Sequence, residues 1–333
     1  MKNEKNIKSN IKICILNIKI KKYIFYIKEI IFILIILFLF KINIYKNNID
    51  NIKVCLCVIG KKENLYAKEF INHYKRIGYD KIFLYDNNDI NDEKFEEVIK
   101  NEIDSGFVSI INYRGYKNSK IRIQFEAYQN CYENNNHKFQ WLSFFDFDEF
   151  LEFPNKNMTI KKFLNRKIFK KCQNVKLNWL VYKNNNSLYY ENKPLKERLN
   201  NPERNNLANK HIKSTVRGNL TKNYWNNMMN PHSSSSDEFI SCSSYGKIIS
   251  PSSPFNYPPE YKNAYLKHYS FKSFEEYCYK IKRARSDMTS IENKNFIISL
   301  IKYLYSQNKR NKEKIKILKK VFKKDFLRII KNK

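Results

Sequence analysis

At 333 residues and 42% hydrophobic content, the chain can bury a real core, as one large domain or two small ones. Its formal net charge of +31 comes mostly from lysine and accompanies much Asn, Ile, Tyr and Phe, residues that share AT-rich codons. The charge therefore predicts attraction to a membrane, nucleotide or polyanionic acceptor without specifying nucleic acid. The seven cysteines lack zinc-finger spacing, which excludes that class, and are expected as free or buried thiols.

Residues 1–22 read as a basic cytoplasmic tail. Tyr23 to Tyr45 is mainly apolar and long enough for roughly 30 Å of hydrocarbon. Lys28, Glu29 and Lys41 lie near its ends, where long side chains can snorkel. Eight lysines precede Glu29 against one acid, Glu4, which places the N-terminus in the cytoplasm. No small-residue cleavage site follows, so 23–45 is expected as an uncleaved signal-anchor of a single-pass type II membrane protein. The location would be the Golgi or endoplasmic reticulum in a eukaryote, or the cell membrane in a bacterium.

The body alternates. Lys53 to Gly60 is an apolar strand. Glu63 to Ile77 carries Leu65, Phe70, Ile71, Tyr74 and Ile77 at helical spacing, with Gly78 as its stop. Lys81 to Tyr85 is a second strand that runs into Asp86-Asn-Asn-Asp89. Asp92 can cap a helix through Phe95, Val98, Ile99 and Ile103. Phe107 to Ile111 is a third strand, and Ser119 to Glu133 a helix. Trp141 to Phe145 is the fourth strand and leads into Asp146-Phe-Asp148-Glu149. Such alternation predicts parallel βαβ units whose ligand binds beyond the carboxyl ends of the strands. Gly60–Glu63, Asp86–Asp89 and Asp146–Glu149 then share one rim.

A buried strand seldom ends in three carboxylates, because desolvated charges need partners. Mg²⁺ or Mn²⁺ is such a partner, and these ions commonly reach a protein through one or two carboxylates plus substrate phosphates. Asp146-x-Asp148 is therefore expected to hold a metal–diphosphate. Asp148 would touch the metal and Asp146 the metal or a ribose. Asp86 either accepts a bond from base or ribose or forms its own turn. Glu63 either touches nucleotide or caps the first helix.

After Pro154 the pattern loosens. Thr159 to Phe169 reads as helix and Asn174 to Tyr182 as strand. Residues 183–262 are rich in Asn, Ser and Pro and read as a binding loop or lid. Ser273-Phe-Glu-Glu276 is a capping box that opens a helix to about Asp287. Residues 291–333 form a basic helical extension whose apolar side chains pack on the body or whose lysines face a membrane.

From about residue 53 to 287 the chain resembles the glycosyltransferase family 92 and family 2-like group. The carrying residues begin with Lys62-Glu63, Glu69-Phe-Ile-Asn-His73-Tyr and Tyr85-Asp86-Asn87-Asn88. Gln124 with Cys131, then Trp141…Asp146-Phe-Asp148-Glu149, follow. Further on come Trp179, Glu197-Arg198, Lys213-Ser-Thr-Val-Arg217, His232 and His268-Tyr-Ser-Phe-Lys272. One departure is Val181-Tyr-Lys-Asn-Asn, where the family often has a glycine-bearing turn, so the acceptor pocket differs.

The resemblance implies an α/β, GT-A-like fold over 50–290: a Rossmann-like mixed sheet flanked by helices. It implies a UDP- or GDP-sugar donor, Mn²⁺ or Mg²⁺, usually inversion, and a glycan, lipid or protein acceptor. His268 would complete the metal shell, and Lys272, Lys213 or Arg217 would contact the diphosphate. Glu197 would serve as the general base, with Asp237 and Glu238 as rivals. His73 is expected to be packed and hydrogen-bonded. A non-enzymatic basic module that binds membrane or polyanion is the alternative. Specific nucleic-acid binding lacks any RNP, zinc-finger or helix-turn-helix signature. A two-metal phosphohydrolase is disfavoured by only five, widely spaced histidines.

Overall fold

The computed structural model describes residues 23, 25–42, 52–115, 122–183, 186–220, 231–232, 239–286 and 288–331. The chain divides into two compact units, Met1–Asn51 and Ile52–Lys333. In the first, residues 25–42 are helical and their large apolar side chains are exposed. Among the described residues no helix is long and apolar enough to cross a membrane. The expected span over 23–45 is thus not found. Lys28, Glu29 and Lys41 interrupt the apolar stretch, and residues 43–45, like the tail 1–22, lie outside the described residues.

The second unit is a mixed α/β fold. Strand β1 (Val54–Gly60) is buried at every position, so it reads as a continuous apolar run and sits mid-sheet. It pairs in parallel with β2 (Lys81–Asp86) and with β4 (Trp141–Phe144), and β2 pairs in parallel with β3 (Val108–Asn112). The crossovers are helices α1 (Asn64–Arg76), α2 (Glu96–Asp104) and α3 (Ile123–Asn135). The cap expected of Asp92 is displaced: Phe95 occupies the N-cap, Asp92 pairs with Lys62 at 2.8 Å, and Val98 is exposed. The start of the helix expected from Ser119 lies outside the described residues.

After β5 (Glu149–Glu152) the polypeptide forms α4 (Ile160–Leu164), capped by the Thr159 hydroxyl, and the long strand β6 (Asn174–Lys183). The largest correction concerns 183–262. Besides α5 (Leu195–Arg198) and β7 (Asn201–Pro202), this region contains β8 (Ile212–Arg217), β9 (Ser241–Ser243) and β10 (Ile248–Ile249). Strand β8 lies between β4 and β6, antiparallel to both, in the order β10-β9-β6-β8-β4-β1-β2-β3. Its IKSTVR sequence hides a core strand because the polar side chains are satisfied internally. Thr215 meets Ser143 at 2.9 Å, and Ser143 meets Tyr79 at 2.8 Å.

Strand β11 (Tyr265–His268) bridges β5 and β6. Helix α6 (Phe274–Lys282) opens with both capping-box bonds in place. Helices α7 (Ser290–Asn308) and α8 (Lys312–Lys331) join it in a separate core around Phe274, Ile301, Leu318 and Phe322. The apolar stripes of the C-terminal extension are therefore spent on packing.

The thiol expectation fails for four of the six described cysteines. Cys57 is bonded to Cys131, stapling β1 to α3, and Cys172 to Cys242, stapling the approach to β6 onto β9. Cys55 and Cys278 stay free and buried.

His73 is packed as expected. The Leu151 carbonyl accepts a bond from its Nε2 at 2.8 Å, and Arg76 approaches Nδ1 at 3.3 Å, which defines a neutral ring. Burial pushes its pKa from 6.5 to about 4. The unfolded chain takes up this proton through pH 6.5, so the contribution is complete above that value and is lost as pH falls toward 4. For a partly exposed ring the loss is about 2–3 kcal/mol. His73→Gln keeps a donor for Leu151 without the titration. Denaturant unfolding at pH 7 and pH 4.5 is expected to show a smaller acid loss for the variant. Parallel losses would show that His73 is not the group responsible.

Candidate active site

The acidic turn is built by alternation. Phe147 points into the core, where it stacks on Phe95 (ring centres 5.6 Å apart, planes at 7°) and lies 4.6 Å from Phe70. This anchor leaves Asp146 and Asp148 on either side of it at the end of β4. Gly60 at the end of β1 allows the close approach, since a Cβ there would come within 2.6 Å of the Phe147 ring.

Strand pairing supplies the rest. In the β5–β11 ladder His268 lies opposite Glu149, and the Asp148 carbonyl accepts the Tyr269 amide at 2.8 Å. His268 Nε2 thereby stands 3.8 Å from Asp148 Oδ1, although 120 residues separate them. The other Asp148 oxygen pairs with Lys280 of α6. Burial alone would raise the pKa of the Asp148 carboxyl. Lys280 first, then His268 and Lys272, more than offset this and hold it well below the usual carboxylate range. Burial also pushes His268 down to about 4, so its ring is neutral, and its buried Nδ1 has no hydrogen-bond partner among the described residues.

Asp146 is held by Gln124 at 2.7 Å, Tyr128 at 3.1 Å and Lys213 at 2.8 Å. Lys213 comes from β8 and is fully buried; burial opposes its charge, but Asp146 and Glu149 outweigh it and raise its pKa. Glu149 closes the turn by accepting the Asp146 amide at 2.9 Å. It is fully buried, its other oxygen stands 3.7 Å from the Lys213 ammonium, and burial pushes its carboxyl upward.

Gln124, Asp146, Asp148, His268 and Lys280 line one cavity of about 940 Å³ that also receives Gly60, Glu63 and Asn87 from the ends of β1 and β2. All three expected rim clusters thus reach the cavity, the first through Gly60, Lys61 and Glu63, the second through Asn87 and the third through Asp146 and Asp148. Asp86 itself is spent on structure: one oxygen takes Arg114 at 2.6 Å and the other the Asn88 amide at 2.9 Å. Glu63 lines the cavity, makes no side-chain cap, and pairs with Arg283. Lys272 is buried outside the cavity lining with its ammonium 4.0 Å from the centre of the Tyr66 ring. Arg217 lies at the far end of β8, on the Trp141 ring and the carbonyls of Phe169 and Cys172. Glu197 sits exposed on α5 and does not line the cavity. Asp237 and Glu238 lie outside the described residues.

Sequence reasoning missed Lys280 and Arg283. Their only signal is a basic last turn on a capped helix, which reads equally well as a complement to the helix dipole. It also missed that Trp179 gathers three histidines. His268 lies 4.1 Å away by ring centres, His211 4.9 Å and His232 5.5 Å.

A family model described as Glycosyltransferase family 92 matches residues 50–323. The chain is 32% identical over 111 residues to a glycosyltransferase family 92 protein of Oryza sativa subsp. japonica, covering 33% of this chain and 18% of that protein. It is 26% identical over 102 residues to one from Ricinus communis, covering 31% and 17%. The chain thus spans less than a fifth of the length of the curated relatives it matches. Among solved structures it is similar to S. aureus TarS 1–349, with TM-score 0.36 and 12% identity over 84% of this chain and 81% of that one. The same protein in complex with UDP-GlcNAc matches with TM-score 0.28 and 10% identity, covering 42% and 37%.

Proposed function

The chain belongs to glycosyltransferase family 92, and from that premise we propose that it moves a sugar from a nucleotide-sugar donor to a glycan, lipid or protein acceptor, with inversion, on a GT-A-like fold. One observation carries this reading. A single cavity at the carboxyl ends of β1, β2 and β4 holds a buried, ionised Asp148 beside a neutral His268 and several cations. An anionic diphosphate suits this surround of Lys280 and Arg283.

The donor set also fits a divalent cation. Asp148 and His268 offer an oxygen and an imidazole nitrogen 3.8 Å apart, a combination that suits Mn²⁺. Among the described residues no cluster of three acidic, His or Cys ligands forms. Asp148 and His268 would therefore be the protein ligands, and the diphosphate would complete the shell. The bound ion would supply Lewis-acid stabilisation of the leaving diphosphate. Asp146, held by three donors, would accept a ribose hydroxyl or a water. Arg283, which also donates to the Lys61 carbonyl at 2.7 Å, fixes the loop after β1 against α6.

Two disulfides favour an oxidising compartment for the body, outside the cytosol. The test of the donor site is calorimetry on the full chain with UDP and GDP, with and without Mn²⁺, for wild type and Asp148→Ala. Binding that requires Mn²⁺ and disappears in the variant is expected. A folded wild type that binds neither nucleotide under any metal condition would sink the reading.

A further inference from the structure

An inverting transfer needs a base on the acceptor side, across the sugar from the diphosphate. Each carboxylate that lines the cavity is already engaged by a cation. Asp148 pairs with Lys280, Asp146 with Lys213 at 2.8 Å, Glu63 with Arg283 and Asp325 with Arg328 at 3.0 Å. Glu197 is outside it. Among the described residues, the cavity wall also carries Trp179, His211 and His232.

We propose that His211 is the general base of this site, with its Nε2 taking the proton of the acceptor hydroxyl. The inference rests on the transferase reading above. Three observations support it. First, the Ala208 carbonyl lies 3.0 Å from His211 Nδ1 and can only accept, so Nδ1 carries the proton and Nε2 the lone pair. Second, the indole of Trp179 stacks on His211 with planes at 20° and meets His268 on 4.1 Å ring-centre spacing. Trp179 thereby fixes His211 and His268 in one aromatic cluster on the wall of the same cavity. Third, the ring is also held by Phe255, edge-on with ring centres 4.8 Å apart.

Among the described residues, the charged and titratable groups near it are Lys210, which precedes it and rests 4.6 Å over Phe255, and His232, at 6.2 Å between ring centres. Burial first, then Lys210, lowers the His211 pKa, and the Ala208 bond opposes them. The lowered pKa favours the unprotonated ring that a base requires.

The step balances without a further reactant. The acceptor hydroxyl oxygen attacks the anomeric carbon as the bond from that carbon to the diphosphate oxygen breaks. The electron pair of that bond leaves with the nucleoside diphosphate. The hydroxyl proton passes to Nε2, and the resulting imidazolium returns it to solvent.

The experiment measures nucleoside diphosphate release by the full chain with Mn²⁺. UDP-galactose, UDP-GlcNAc and GDP-mannose serve as donors, and p-nitrophenyl monosaccharides as acceptors. His211→Ala is expected to lower kcat by about 10²–10⁴-fold while the calorimetric Kd for the nucleotide stays within about twofold, and added imidazole is expected to restore part of kcat. A kcat within about threefold of wild type, or a loss matched by lost nucleotide affinity and not restored by imidazole, overturns the assignment. A wild type that binds and turns over no donor overturns instead the transferase reading beneath it.

Discussion

Reduction of the two disulfides is expected to lower the stability of the body by about 4 kcal/mol for each bridge. The bridges close loops of 74 and 70 residues, so each removes much chain entropy from the unfolded state. Neither position offers a substitute for the bridge. Cys57 lies in a fully buried strand, and Cys242 lies opposite Val175 in the β6–β9 ladder. Thermal unfolding followed by circular dichroism, with and without reductant, should show a fall on the order of 10 °C per bridge. The double variant Cys172→Ala/Cys242→Ala should reproduce one step. If the reduced and oxidised proteins melt together, the bridges do not constrain the chain, and the case for an oxidising compartment goes with them.

Lys280→Met is expected to cost about 2–3 kcal/mol in EDTA, with Mn²⁺ restoring much of the loss. Asp148 is buried, and Lys280 is the largest of the groups that hold its carboxyl ionised. Removal of one partner from a fully buried pair costs roughly 3–5 kcal/mol. The Lys280 side chain is 32% exposed, so water screens part of the interaction and the smaller figure applies. A cation held by Asp148 and His268 would take over the neutralisation and stabilise the folded state by mass action. Urea unfolding of wild type and variant, each in EDTA and in Mn²⁺, separates the outcomes. Equal destabilisation in both media would mean that no cation is held at Asp148, and the metal-dependent reading would fail while the donor cavity could stand.

The part of the fold legible in the sequence is the part made of local pattern. Strands β1 to β4 are runs of apolar residues separated by amphipathic helices, and their parallel order followed from the alternation alone. The capping box at Ser273 was readable for the same reason, since both of its bonds form within four residues. The carboxylates at the end of β4 stood out because charge at the end of a buried strand demands a partner. Strand β8 was not legible. Its Lys213, Ser214 and Thr215 look like loop residues, and they become core residues only because β4 and β6 bring Asp146, Asn174 and Ser143 to meet them. Glu197 and Asp86 illustrate the converse. Both are plausible by residue type, but one faces solvent and the other is consumed by Arg114.

The sequence by itself determined the alternating sheet, the acidic rim and the family, because each depends on residues close in the chain or on their order along it. Tertiary structure alone decided the partners. It joined His268 to Asp148 through a strand ladder, Lys280 to the same carboxylate through a helix, Cys57 to Cys131, and His211 to the cavity across Trp179. The physical reason is that ion pairs, disulfides and ring contacts act over a few ångströms of space, and chain separation says nothing about that distance until the strands have paired.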